Sequence, residues 1–181
     1  MKTYTIIGGV NGTGKSSLLG VLVTVTEDMG FVFNSSEVLD CGIDDCLSKG
    51  VSFTQETTLS GHKTEKTAAR AKNLGYTIRL YYVGLDTVQE CLDRIENRVR
   101  HGGHNIREDD VIRRFAGRWE AVAKVLPYCD IAYFYDNYNG FRKTAEYVNG
   151  EFIIMGDDLP KWTGELRDYL RAENLKKSGD N

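Results

Sequence analysis

The chain has 181 residues and a mass of 20.4 kDa, which suits one domain and leaves little room for a second independent core. At 41% apolar and 27% charged, with 19 glycines and 2 prolines, it is not the composition of a disordered or collagen-like chain. A net charge of −3 excludes a polyanion binder held by bulk charge, and no apolar run approaches the roughly 20 residues of a bilayer helix.

Residues 4–8 predict a first buried strand, followed by a glycine-rich turn and a helix whose apolar face carries Leu18, Leu19, Leu22 and Val23. Short strands are predicted at residues 31–33 and 51–55, then a polar helix at 63–73 stopped by Gly75, and the longest strand at 76–83. Between residues 87 and 100, Val88, Cys91, Leu92, Ile95 and Val99 recur at spacings of three and four, which gives a helix one apolar face. The sequence His101-Gly102-Gly103-His104 breaks the pattern. A second amphipathic helix is expected over 108–126, burying Val111, Phe115, Trp119, Val122 and Leu126 and ended by Pro127. Residues 131–135 read as the last core strand. Asn149-Gly150, between alternating segments 141–148 and 151–155, is a type I′ hairpin signal, and the tail beyond Arg171 is polar enough to fray.

Strands alternating with helices predict an α/β domain built on a mostly parallel five-stranded sheet flanked by helices in three layers, with a C-terminal antiparallel hairpin. No repeat or linker divides residues 1–181; a lid falls at about 100–118, and the hairpin and following helix at about 140–171. Cys41, Cys46, Cys91 and Cys129 show no C-x-x-C spacing, so free buried thiols are expected in place of a metal site. Residues 4–7 are too short for a signal-peptide core, so a cytoplasmic protein without membrane contact or disulfides is expected.

Gly9-Val10-Asn11-Gly12-Thr13-Gly14-Lys15-Ser16 satisfies G-x-x-x-x-G-K-[ST]. Glycines let successive backbone N–H groups face phosphate oxygens, Lys15 reaches the β and γ phosphates, and the Ser16 hydroxyl suits Mg²⁺. The motif lies between an apolar strand and an amphipathic helix, the context that its mechanism requires. Gly9, Asn11, Gly12, Thr13, Gly14, Lys15, Ser16 and Ser17 are therefore the candidate ATP-binding residues. The chain has no N-K-x-D base-reading element of a GTPase and no apolar strand ending in Asp-Glu as in motor ATPases.

Seven arginines, at 94, 98, 100, 107, 113, 114 and 118, crowd the segment after the fourth strand of an acidic protein. Phosphoryl transfer needs such a cluster to neutralise charge on the transferring group. Arg114 and Arg118 stand one helical turn apart, and Gly102 with Gly103 would let the segment close as a lid. Glu96, Glu108, Asp109 and Asp110 are alternative partners for any single arginine on a solvated face.

Taken together, Gly9 to Ser16, F-T-Q-E-T-T-L-S-G at 53–61, G-Y-T-I-R-L-Y-Y-V at 75–83, R-I-x-x-R-V-x-x-G-G-H at 94–104, R-R-F at 113–115 and Y-D-N at 135–137 resemble the zeta toxin family, and most of all its short zeta-like ATPases. The resemblance covers roughly residues 3–138. It implies a P-loop kinase fold, ATP with Mg²⁺, transfer to the sugar 3′-hydroxyl of UDP-N-acetylglucosamine as in the best-known members, and a small antitoxin protein as partner. It implies that Lys15 and Ser16 take nucleotide and metal, that Glu56 holds metal or acceptor, and that Arg114 and Arg118 clamp phosphates. Asn137 falls with the nucleotide, and Ser36, Glu37, Thr57, Thr58 and His104 fall on the acceptor side.

Family members carry N-A-D-E after the second strand, its Asp the proposed general base; here Asn34-Ser35-Ser36-Glu37 stands there, with Ser36 at the Asp position and Asp40 as the substitute. The leading expectation is an ATP-dependent kinase acting on a small-molecule hydroxyl. A nucleotide-binding module acting through a protein partner is the alternative, and nucleic-acid binding through the arginines is the least favoured.

Overall fold

The computed structural model describes residues 1–26, 28–34 and 39–179, the side chains of 39–41 and 177–179 excepted. Strands β1 (Thr3–Gly8), β2 (Phe31–Phe33), β3 (Phe53–Thr57), β4 (Thr77–Gly84), β5 (Ile131–Asp136), β6 (Arg142–Val148) and β7 (Glu151–Ile154) form one sheet in the order β2-β3-β1-β4-β5-β6-β7. The first five are parallel, and the hairpin β6–β7 continues the sheet beyond β5 in antiparallel register, Ile131 opposite Val148. Strand β1 is buried along its whole length, as expected of a central parallel strand covered on both faces. Asn149 and Gly150 both take positive φ (52° and 83°), the backbone of a type I′ turn.

Helices α1 (Lys15–Val25), α2 (Leu39–Lys49), α3 (Lys63–Asn73), α4 (Val88–Arg100), α5 (Glu108–Ala116), α6 (Arg118–Val125) and α7 (Lys161–Gly179) pack around this sheet, with a 3₁₀ turn at Leu126–Tyr128. Strand alternation divides the core. Tyr4, Ile6, Ile78, Leu80, Tyr82, Ala132 and Phe134 share one cluster with residues of α2, α3, α6 and α7. Ile7, Tyr81 and Val83 point the other way, against Leu18, Leu19 and Leu22 of α1. A third cluster, Val10, Leu85, Cys91, Ile95 and Val111, closes the end of the sheet where the strands stop, and seats α4 and α5 there.

Several elements depart from the sequence expectations for physical reasons. The third strand begins two residues later than predicted, because the Val51 N–H donates to the Cys46 carbonyl and the Val51 carbonyl accepts from the Tyr76 hydroxyl, which ties Val51 to the end of α2. Glu56 thereby lies inside β3, opposite Ile7. The helix expected over 108–126 is interrupted at Gly117, whose N–H still bonds the Arg113 carbonyl, and Pro127 lies within the 3₁₀ turn. Val23 is 51% exposed and does not join the buried face of α1. Helix α2 was not foreseen, and the tail expected to fray beyond Arg171 continues as helix to Gly179. Cys46 and Cys91 are buried and Cys129 half-buried, all as free thiols. Among the described residues, no helix is long and apolar enough to cross a membrane.

Candidate nucleotide site

The turn after β1 folds on itself before α1 begins. Thr13 bonds the Val10 carbonyl through both its N–H (3.3 Å) and its hydroxyl (2.9 Å), and the Lys15 ammonium donates to the same carbonyl at 3.1 Å. Glycine is required at three positions of the turn by crowding as well as by φ, and a Cβ on Gly9 (φ +147°) would lie 2.5 Å from the Val83 carbonyl oxygen. A Cβ on Gly12 (φ +85°) would lie 2.4 Å from the Cys91 carbonyl oxygen of α4, and one on Gly14 (φ +100°) 2.3 Å from the Asn137 amide nitrogen. Gly14 is the N-cap of α1 and offers no side-chain cap, so the first N–H groups of the helix are left to an external acceptor.

Lys15 is only 7% exposed. Burial pushes its ammonium down to about 8, with Arg114 and Arg98 adding repulsion and Glu56 opposing the shift. A buried cation held to one carbonyl is a group waiting for an anion. Beside it, the Ser16 hydroxyl lies 2.9 Å from each oxygen of the Glu56 carboxylate. A hydroxyl and a carboxylate are hard oxygen ligands of the kind that Mg²⁺ takes alongside phosphate oxygens, so the residues fit that ion.

These groups line a cleft of about 230 Å³ together with Asn11, Ser17, Arg94, Ile95 and Arg98. The two arginines project from α4, which starts with a capping box (the Glu90 N–H donates to the Thr87 hydroxyl oxygen, and the Thr87 N–H to the Glu90 carboxylate) and buries Cys91 and Ile95. Arg94 donates to the carbonyls of Asn137 (2.5 Å) and Tyr138 (3.2 Å), and Arg98 to that of His104 (2.7 Å). The sequence pattern places both in the basic segment without separating them from its other arginines; the signal is their four-residue spacing around Ile95, one of the two buried positions of the same helix.

The pair that was singled out separates. Arg114 donates to the Asn11 side chain of the phosphate turn at 2.7 Å. Arg118, beyond the break at Gly117, lies over the rings of Phe115 (3.8 Å) and Trp119 (4.1 Å) and bonds the Phe115 carbonyl and Glu165 of α7. Burial pulls its guanidinium below the ordinary arginine value, with Tyr82 and Glu165 opposing. Arg118 is thus engaged with α7 and the two rings, and it does not line the cleft.

Asn137 supports the turn from behind, its amide donating to the Thr13 carbonyl at 2.8 Å. Its neighbour Asp136 accepts from the Tyr138 N–H (3.2 Å) and from the indole of Trp162 (3.0 Å), the fully buried first-turn residue of α7. On the acceptor side, Thr57 shares its hydroxyl with Thr64 (3.3 Å) and the Leu59 N–H (3.1 Å), and Thr58 pairs with Ser60 (2.8 Å). His104 is exposed and contributes its carbonyl to Arg98. Gly9 directly follows β1. Ser36 and Glu37 lie outside the described residues, as does the side chain of Asp40.

A glycine turn leaving the central strand of a parallel 2-3-1-4-5 array, with helices on both faces, defines a P-loop kinase-like fold. It is shared with the PezAT chromosomal toxin–antitoxin system of Streptococcus pneumoniae (TM-score 0.60, 13% identity, covering 97% of this chain and 88% of that one). The AvrRxo1-ORF1:ORF2 complex also matches (TM-score 0.62, 13% identity, 92% of this chain), although this chain spans only 64% of that one. So does the AvrRxo1-ORF1:ORF2 structure with ATP (TM-score 0.60, 13% identity, 95% and 76%). At this level of identity the likeness is one of fold. No protein-family model matches the chain. The chain belongs to the same family as an uncharacterized protein of Haemophilus influenzae, 30% identical over 123 residues that cover 59% of this chain and 88% of that protein.

Proposed function

We propose that the protein is an ATP-dependent phosphotransferase that moves the γ-phosphoryl group to a hydroxyl of a small molecule, with UDP-amino sugars such as UDP-N-acetylglucosamine among the candidate acceptors. The observation that carries this reading is the convergence of Lys15, Ser16, Glu56, Arg94 and Arg98 on one cleft, with Arg114 held against its Asn11 wall. Lys15 and the N–H groups at the start of α1 bind phosphate oxygens, the arginines stabilise charge that grows on the transferring group, and Ser16 with Glu56 would hold Mg²⁺. An ion held by these two residues would supply positive charge against the phosphate oxygens. The ATP-containing neighbour and the toxin–antitoxin neighbours support both the nucleotide and a small antitoxin-type protein partner. The test is ATP consumption by the pure protein across UDP-sugars and nucleosides; turnover that survives Lys15→Ala would sink the mechanism.

A second reading, a nucleotide-binding module acting through a protein partner, is favoured by Ser36 in place of a carboxylate. Among the described residues, Glu56 is the one acid lining the cleft, and it is bonded to Ser16. On that reading Ser36→Asp creates turnover where the native chain has none.

A further inference from the structure

Helix α1 is apolar on the side that it turns to solvent as well as on the side that it buries. From Ser16 to Thr26 the chain carries no charged residue, although 27% of the protein is charged. Leu18, Leu19 and Leu22 meet the sheet, whereas Gly20, Val21, Thr24 and Val25 are exposed, Val21 by 51% and Val25 by 72%. A helix that is apolar all round is one that is covered on two sides.

Gly20 is the sharper sign. In the interior of an exposed helix glycine costs about 1 kcal/mol against alanine, and a Cβ at this position would meet nothing within 4 Å among the described residues. Its φ is not in the left-handed region either. Nothing inside the chain therefore calls for glycine here, whereas the close approach of a second surface does. Thr24, one turn further on, continues the same narrow crest.

The sheet beside α1 is open. Helices α2, α3, α6 and α7 pack on the opposite face, and on this face the buried cluster draws its helical residues from α1. Tyr133 and Tyr135 of β5 are half-buried there, their rings 5.1 and 6.5 Å from that of Tyr81, and Lys143, paired with Glu146, lies over Tyr133 at 5.4 Å. In β7, Ile153 continues the row beyond Glu146 and is 45% exposed. The orientation of α1 is fixed by the bond from Ser16 to Glu56 of β3, and Val25 stands on the opposite side of the helix from Ser16. Val21 and Val25 thus overlook the tyrosine strands.

We propose that this face is the interface of a homodimer. Ridge and open strands lie side by side, so two copies related by a two-fold axis lay each α1 on the other's tyrosine strands, an isologous contact that uses both features at once. Gly20 and Thr24 let the helix backbone settle on the rings of Tyr133 and Tyr135, and the Val21 and Val25 flanks of the two helices meet at the axis. A helix of 11 residues is about 16 Å long, so ridge and trough together cover on the order of 500 Å² per copy. The total of about 1,000 Å² is near the lower bound of specific interfaces, and the dimer is accordingly of micromolar affinity.

The test is sedimentation equilibrium of the full chain from about 1 to 200 μM, without nucleotide. The mass is expected to rise with concentration from 20.4 kDa toward twice that value. Val21→Glu with Val25→Glu, and separately Gly20→Glu, should each weaken association at least a hundredfold. Because Gly20→Glu improves helix propensity, its melting temperature at low concentration should not fall, which separates lost association from lost folding. Leu74→Glu, a like change at an exposed leucine that ends α3, should leave association unaltered. A native chain that stays at 20.4 kDa at 200 μM overturns the proposal, whether or not a different protein or a nucleic acid proves to cover the face. Association that survives the α1 variants, or that Leu74→Glu weakens as much as they do, overturns it too.

Discussion

Raising the pH from 7 to 9 should weaken ATP binding about tenfold through Lys15 alone. In the free protein burial moves this ammonium from 10.5 to about 8, a difference of roughly 3 kcal/mol between its charged and neutral forms. The sign follows from linkage. Because the folded value lies below the unfolded one, the free protein gains stability from this group as pH rises from about 8 to 10.5, the window in which the unfolded chain holds the extra proton. Phosphate oxygens favour the charged form, so the bound value is higher than the free one. Below pH 8 the lysine is already charged and binding takes up almost no proton; above it, each complex must collect one. Calorimetry at pH 7, 8 and 9 in buffers of different ionisation enthalpy should give an uptake of about half a proton at pH 8 and nearly one at pH 9. Lys15→Met should bind weakly and lose the pH dependence. An affinity flat across this range, with no proton uptake, would refute the claim that Lys15 is buried next to the phosphates.

The two arginines should part in their effects. Arg114→Ala is expected to lower kcat about 10²–10³-fold with little change in melting temperature, whereas Arg118→Ala strips a stacked cation from Glu165 and should lower stability first, by about 2 kcal/mol. Matched kcat losses at unchanged Tm would contradict this. Asn137→Ala removes the bond to the Thr13 carbonyl, worth about 1 kcal/mol, and should weaken ATP about fivefold in an equilibrium titration. Trp162→Ala empties a fully buried site and should cost about 3–5 kcal/mol, read as a fall in Tm of roughly 10 °C.

The glycine turn after β1 was legible in the sequence because its pattern is local: glycines, a lysine and a serine at fixed offsets, between a strand and a helix that the apolar pattern declares. Arg94 and Arg98 were not separable from the other arginines, since their reach into the cleft depends on α4 lying against Gly12, a contact between residues 79 apart in the chain. The divergence of Arg114 and Arg118 was hidden for a similar reason. Hydrophobic spacing runs unbroken from Val111 to Leu126, and Gly117 interrupts the helix without disturbing it. Helix α2 escaped because acidic residues and Gly42 dilute its apolar signal, although Ile43, Cys46 and Leu47 are buried once it docks. The left-handed Leu59 has no sequence mark at all, because leucine is the last residue that local rules would put there.

The indole of Trp162 holds Asp136, and the next residue, Asn137, holds the phosphate turn. Helix α7 and the glycine turn at the mouth of the cleft are therefore parts of one cooperative unit. Opening of α7 releases the support behind Thr13, and whatever occupies the cleft resists that opening by mass action. Amide protons in the first turns of α7 should thus exchange more slowly with ATP present, which would make the C-terminal helix a reporter of occupancy at a site that it never touches.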